Sequence, residues 1–341
     1  MRANLQLLPL VVLVTFAAGC PHRQPAAPAN EDWYLKNNLF AALDADARDL
    51  SMVNGYLLEL ACYVGDRGTF EVEKVLSTWG FDQKRDFRDL RTSTYGFVAS
   101  NNQVTLVTFG GTDIYNLRDI LSDADALELV HDDRYCPTPE ARVHRGFRDS
   151  LNSVIDGVMG EVKRQATAGD ARRRVWVAGH SRGGAFAQLA AAAMAKQGVD
   201  VAGVYTFGQP RVGNGAFNSL FSGDGGGDVP LFRFVNGDDP VPQVPPEAPS
   251  GGTLSAVGRA GLSYTHGGVA VHLRPDGTVV KGAPSRSLAD VRAAGINSHY
   301  QPAYHTAIYA ALTDPSKVRE PAWRQGSTDA TLIQALPRPA R

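Results

Sequence analysis

The apolar stretch Val175-Trp176-Val177-Ala178 runs directly into Gly179-His180-Ser181-Arg182-Gly183-Gly184, and from there into the alanine-rich run Ala185 to Met194. The first segment reads as a short buried strand and the last as a helix packed close to a sheet. The chain must therefore turn sharply between strand and helix while carrying a serine. G-x-S-x-G in that setting is a nucleophile elbow, on which the serine hydroxyl projects free of the backbone. Gly179 and Gly183 lie two residues either side, where a side chain would collide across a strained turn. The helix N-terminus beneath favours negative charge developing there. A bare G-x-S-x-G also turns up on ordinary glycine-rich turns; it is the flanking strand and helix that make Ser181 a candidate nucleophile.

The rest of the chain supplies a sheet for that elbow. Residues 49 to 64 read as an amphipathic helix through Leu50, Val53, Leu57, Leu58, Leu60 and Ala61. Residues 97–99 and 104–109 alternate around Asn101-Asn102 as a hairpin. Residues 113 to 142 are polar and irregular, with a short helix suggested near Leu117 to Leu129. Phe147 to Arg164 is expected as one helix, and Val201 to Phe207 and Leu231 to Val235 as strands. Residues 246 to 263 are a Gly/Ser/Ala-rich loop. Ser263 to Val271 and Thr278 to Lys281 flank the turn signal Arg274-Pro275-Asp276-Gly277. Tyr304 to Leu312 is expected as the last helix. Strands alternating with helices predict an α/β fold, one domain with a mostly parallel central sheet flanked by helices. A chain of 341 residues can bury one such core.

The N-terminus has a different character. Arg2 precedes the apolar run Leu5 to Phe16, which leads to Ala17-Ala18-Gly19-Cys20. A charged start, a short apolar core and small residues before a cut describe an export signal over residues 1–19. The run is short for a membrane span. Ala-Ala-Gly-Cys resembles the bacterial lipobox, which implies cleavage before Cys20 and lipidation of it; an ordinary secretion signal with an incidental cysteine is the other reading. Several acyl chains would anchor stably where one is marginal. Pro21 after the cysteine resembles Gram-negative lipoproteins sent to the outer membrane. Residues 20–30 form a Pro/Ala tether that cannot build a core. Cys62 and Cys136 remain in the mature chain, as a disulfide permitted by an oxidising compartment or as two buried thiols. No Cys/His cluster has zinc spacing, so no metal is expected. A formal net charge of −1 and the lack of a basic run give no support for a nucleic-acid partner.

Several further segments resemble the class 3, or fungal-type, lipase family of the α/β-hydrolase fold. Phe109-Gly110-Gly111-Thr112 is similar to its F-R-G-T, with Gly110 replacing the usual arginine. Arg118-Asp119-Ile120-Leu121-Ser122-Asp123 resembles R-D-W-L-x-D, and Val143-His144-Arg145-Gly146-Phe147 resembles V-H-x-G-F. Thr206 to Asn214 is similar to T-F-G-x-P-R-V-G-N. Val235 to Pro242 is similar to the aspartate-bearing segment, and Tyr264-Thr265-His266-Gly267-Gly268 to Y-x-H-x-G. The matches run in family order from about residue 50 to 312, so the lipase-like domain is expected over 31–312, followed by a C-terminal tail over 313–341. Arg182 is a second departure, standing where leucine usually follows the serine.

The chemistry and the resemblance together assign roles. A serine hydroxyl needs an imidazole to take its proton and a carboxylate to orient that imidazole. In α/β-hydrolases these follow in the order Ser, acid, His. The resemblance gives Asp239 as the acid, with Asp238 as the neighbouring alternative. It gives His299 as the base, because Tyr304, Ala307 and Ile308 stand at the family's offsets from it; His305 is the alternative. His266 and His272 are expected to be structural, His144 a packing or hydrogen-bonding residue, and His180 part of the elbow. The oxyanion donors are expected to be the backbone N–H of Arg182 and, as the resemblance implies, Thr112 through its backbone N–H, alone or together with its hydroxyl. Residues 113 to 142 occupy the lid position, with few bulky apolar side chains.

The resemblance implies a serine ester hydrolase, of lipase or carboxylesterase type, that cleaves acyl esters of lipids through an acyl-enzyme and needs no cofactor. Its partners would be the acyl-ester substrate and a membrane reached through the lipid anchor. Two other readings stand beside it: an esterase for acylated polysaccharide or other soluble esters, and a catalytically inactive, surface-anchored binding protein.

Overall fold

A strand that is apolar on both faces needs cover on both sides. Val201–Phe207 is buried at all of its positions, and Arg174–His180 at all but its first. These are the middle strands of the sheet. The computed structural model describes residues 34–45, 49–66, 69–111, 128–166, 173–222, 228–245, 247, 263–282, 296–320, 323 and 336–338. The strands are β1 (Gln83–Asp89), β2 (Thr94–Ser100), β3 (Val104–Phe109), β4 (Leu129–Val130), β5 (Val143–His144), β6 (Arg174–His180), β7 (Val201–Phe207), β8 (Phe221–Ser222), β9 (Val229–Asn236), β10 (Val269–Leu273) and β11 (Val279–Lys281). The helices are α1 (Met52–Gly65), α2 (Thr69–Thr78), α3 (Arg145–Asn152), α4 (Ile155–Ala166), α5 (Arg182–Lys196), α6 (Gly215–Asn218) and α7 (Gln301–Thr313).

The main sheet runs β1-β2-β3-β6-β7-β9-β10-β11, with β8 beside β9. From β3 to β10 neighbours are parallel. The β1, β2, β3 meander at one edge and β11 at the other are antiparallel. A separate β4–β5 pair lies outside this sheet. Alternation along β6 sends Trp176 and Ala178 into one core, with Leu57, Leu76 and Ile308. Val175 and Val177 enter the other, with Ile155, Phe186 and Leu189. The arrangement is the α/β-hydrolase fold, a mostly parallel sheet with helices on both faces.

The structure decides one open reading, that of the cysteines, and corrects several expectations. Cys62 and Cys136 are free and lie in different cores, on opposite faces of the sheet, so they cannot pair. The helix expected over Phe147 to Arg164 is two helices, broken at Ser153 and Val154. The Ser153 hydroxyl donates to Ser150 O at 2.8 Å, a local bond that competes with helix continuation. The helix expected at 49–64 begins later, capped by Ser51 Oγ on the Asn54 amide, and is buried on every side rather than amphipathic. The strand expected from Ser263 starts only at Val269, because Gly268 takes φ 65° just before it. β1 carried no apolar alternation to reveal it; its charged residues suit an exposed edge. Val318, Trp323 and Leu336, from the stretch expected as a tail, are buried in the first core.

Candidate active site

Ser181 lies between β6 and α5 with φ 56° and ψ −128°, a conformation unusual for any residue but glycine. Its surroundings hold it there: Ser181 N–H donates to Phe207 O at 2.8 Å, and Gly184 N–H donates to Ser181 O at 3.0 Å. The elbow glycines are steric necessities. A Cβ on Gly179 would lie 2.1 Å from Gly183 O, and one on Gly183 would lie 2.3 Å from Phe109 O. The first clash is across the turn. The second is against the end of β3, which therefore abuts the elbow at backbone contact.

Asp239 follows β9 on a tight turn, with its N–H donating to Asn236 O at 3.0 Å. His299 ends a short 3-10 turn, Asn297–His299, just before α7. All three side chains are buried. His299 Nδ1 donates to Asp239 Oδ2 at 2.9 Å, and Oδ1 lies 3.0 Å away. A carboxylate can only accept, so Nδ1 carries the hydrogen and Nε2 is left as an acceptor. The Ser181 hydroxyl donates to that Nε2 at 2.9 Å. Burial pushes the Asp239 carboxyl up. His299 and the hydrogen bonds from His299, Tyr304 and the Val241 amide outweigh it and hold the group below its ordinary range. Gly208 sits beneath the pair at φ 61°, where a Cβ would lie 2.8 Å from both Asp239 Oδ2 and His299 Nδ1.

The other candidates fall elsewhere. Asp238 accepts from the Ser298 hydroxyl at 2.5 Å, which braces the turn leading to His299. His305 is buried against Glu59 and Tyr56. His266 donates to Pro242 O at 2.7 Å and His272 to Gly237 O at 3.1 Å, so both support the loop bearing Asp239. His180 donates to His299 O at 2.7 Å. Burial, reinforced by His299, pulls the His180 imidazole down to about 3 and keeps it neutral. His144 accepts from the Phe147 amide at 3.2 Å and so caps α3; burial holds its ring at about 3. Arg182 opens α5, where the first amides have no acceptor within the helix. Thr112, Cys20 and most of the helix suggested near Leu117 lie outside the described residues; only Glu128 and Leu129, at its end, are seen, Leu129 in β4. Among the described residues, no group of three or more His, Cys, Asp or Glu side chains could hold a metal ion.

Sequence reasoning missed the Tyr304 hydroxyl, which donates to Asp239 Oδ2 at 2.5 Å. The helical spacing of Tyr304, Ala307, Ile308 and Ala311 marks Tyr304 as inward-facing, but nothing in that spacing tells where its oxygen ends. The arrangement as a whole can deprotonate Ser181 and stabilise the imidazolium that results.

The family described as Lipase (class 3) matches residues 106–248. A secreted mono- and diacylglycerol lipase of Fusarium solani is 39% identical over 104 residues, 30% of each chain. Its counterpart from Penicillium cyclopium is 32% identical over 179 residues, 51% of this chain and 53% of that protein. The chain thus spans about half or less of the length of these curated relatives. The crystal structure of a lipase from Rhizopus microsporus var. chinensis superposes with a TM-score of 0.54 at 24% identity, over 87% of this chain and 93% of that one. Family match and relatives agree: through residues 106–248 the chain belongs to the class 3 lipase family.

Proposed function

We propose that this protein is a serine ester hydrolase that cleaves acyl esters of lipids. The observation that carries the reading is the unbroken hydrogen-bond line Asp239–His299–Ser181. As Ser181 Oγ attacks the acyl carbonyl carbon, its proton passes to His299 Nε2. Asp239 keeps the ring oriented and stabilises its positive charge. The tetrahedral intermediate collapses, the ester oxygen leaves as an alcohol with the proton from His299, and the acyl group stays on Ser181. Water then attacks the acyl-enzyme, gives a proton to His299, and the fatty acid leaves as the proton returns to Oγ. The Arg182 and Thr112 amides are the oxyanion donors in this reading. No cofactor takes part. The lipid substrate class is supported by the relatives, which are named as mono- and diacylglycerol lipases.

The test is hydrolysis of emulsified tri-, di- and monoacylglycerols against soluble nitrophenyl esters, by purified protein and its Ser181→Ala variant. Acylglycerol turnover that drops about 10⁴-fold or more in the variant is expected. Turnover of soluble esters alone would replace the lipid substrate with an esterase's, and near-wild-type turnover in Ser181→Ala would remove the mechanism.

The protein is exported in this reading, as the relatives named as secreted support, and anchored to the outer membrane through lipid on Cys20. Residues 1–19 are its signal, 20–30 its tether, and the catalytic domain begins near residue 31. Mass spectrometry of the mature protein should find Cys20 first, with added acyl mass. An unmodified start elsewhere would leave a freely secreted enzyme.

A further inference from the structure

The turn after β3 consists of two glycines, Gly110 and Gly111, and so has little stiffness of its own. Yet it borders the nucleophile elbow, since a Cβ on Gly183 would lie 2.7 Å from Gly110 O. Something outside the turn must hold it. Two side chains do. Gly111 N–H donates to Asp66 Oδ1 at 2.7 Å, and the Tyr95 hydroxyl donates to the same oxygen at 3.0 Å. The Tyr95 ring lies on Gly110 so closely that a Cβ there would be 1.7 Å from it. Arginine, the family's usual residue at that position, could not fit under this ring. Arg182, the chain's other departure, completes the assembly. Its guanidinium donates to Thr92 O at 3.0 Å and to Ser93 O, the residues that lead into Tyr95's strand.

We propose that Asp66 is a positioning residue for ester hydrolysis, its carboxylate fixing the turn after β3 against the Ser181 elbow through the Gly111 amide. The role rests on the hydrolase reading above. Asp66 ends α1 and touches neither Ser181 nor His299 in any bond; it acts through the backbone of the turn. Desolvation pushes its carboxyl up to about 7, against the pull of the Gly111 amide and the Tyr95 hydroxyl. The other groups facing it are Glu59 and Cys62 on its own helix, Gln301 at the start of α7, and Arg182, with the neutral His180 ring also close to Gly111. A hydrogen bond to a charged acceptor is stronger than one to a neutral acid. The anchor therefore weakens as pH falls through about 7.

The experiment compares wild type, Asp66→Asn and Asp66→Ala for kcat and KM on a soluble nitrophenyl ester across pH. Each preparation is checked by thermal melting and by fluorophosphonate labelling of Ser181. Asn keeps an oxygen acceptor for the Gly111 amide and does not ionise; Ala removes the acceptor. Asp66→Ala should lower kcat about 10- to 100-fold with KM within about twofold, and Asp66→Asn should restore most of it. The ratio of wild-type to Asp66→Asn kcat should fall about two- to threefold as pH drops through about 7, since every other pH effect is common to both. Unchanged kcat in Asp66→Ala would overturn the role. So would an Asn variant as impaired as Ala, or losses that only track the melting temperature. A wild type that neither labels nor turns over ester would overturn the hydrolase reading itself; a labelled, active wild type beside an unaffected Asp66→Ala overturns the positioning role alone.

Discussion

Tyr304 and His299 meet on one carboxylate oxygen of Asp239: the Tyr304 hydroxyl donates to Oδ2 at 2.5 Å and accepts from the Asn236 amide at 3.1 Å. The same carboxylate oxygen takes His299 Nδ1 at 2.9 Å. Tyr304 is therefore one of the groups that keep Asp239 ionised in a buried position.

Tyr304→Phe should lower kcat about tenfold, equivalent to about 1.4 kcal/mol, with KM little altered. The carboxyl should rise toward its ordinary range. The sign for stability follows. A carboxyl held down in the folded state stabilises it above the unfolded carboxyl's range, and that contribution is lost as pH falls through the folded value. The variant, with less of that contribution to lose, should melt below wild type near neutral pH by a margin that narrows on acidification. Parallel melts from about pH 7 to about pH 3 would show it.

His299→Ala and His305→Ala should fail in opposite ways. His299→Ala should fold and lose hydrolysis by about 10⁴-fold or more. His305→Ala should keep kcat per folded molecule but lose about 1–3 kcal/mol of stability, because it leaves the Glu59 carboxyl buried without its hydrogen-bond partner. Burial already pushes the Glu59 carboxyl up, and His305 pulls it back. Without His305 it rises further. A carboxyl raised on folding contributes stability at low pH that is lost as pH climbs, so the His305→Ala deficit should be largest at neutral pH and shrink on acidification. Denaturant melts at two pH values, paired with activity assays, would check both variants. Loss of kcat in His305→Ala with activity kept in His299→Ala would reverse the roles.

What the sequence made legible is what short-range pattern encodes. The Val175 to Ala178 run, the G-x-S-x-G turn and the alanine-rich helix are local, and they appear as β6, the elbow and α5. The order of Ser181, Asp239 and His299 was readable only through the family's segments, since 118 positions separate the serine from the histidine. Contacts with no local signature stayed hidden. Glu59 meets His305 across 246 positions, inside a helix whose spacing suggested one polar face. Asp66 reaches Gly111 across 45 positions with no motif around either. β1 escaped because an edge strand need not alternate: only Phe87 interrupts its polar residues, and its pairing with β2 comes from the backbone.

Two glycines with the same backbone strain separate fold from function at this site. Gly208 has φ 61° and Gly198 has φ 73°, both in the region that disfavours a side chain. Around Gly198, just past the end of α5, a Cβ would meet nothing within 4 Å. Around Gly208 it would lie 2.8 Å from Asp239 Oδ2 and from His299 Nδ1. Alanine at either position should cost about 1–2 kcal/mol of stability from the backbone alone. Gly198→Ala should stop there, with kcat unchanged. Gly208→Ala must also push the carboxylate or the imidazole aside. A misplacement of about 1 Å in such a site costs about 10²-fold in rate. Gly208→Ala should therefore melt below Gly198→Ala, and the two should differ about 10²-fold in kcat per folded molecule. Equal kcat in the two variants would mean that the site tolerates displacement of the Asp239–His299 pair, and would count against proton transfer along this line as the limiting requirement for turnover.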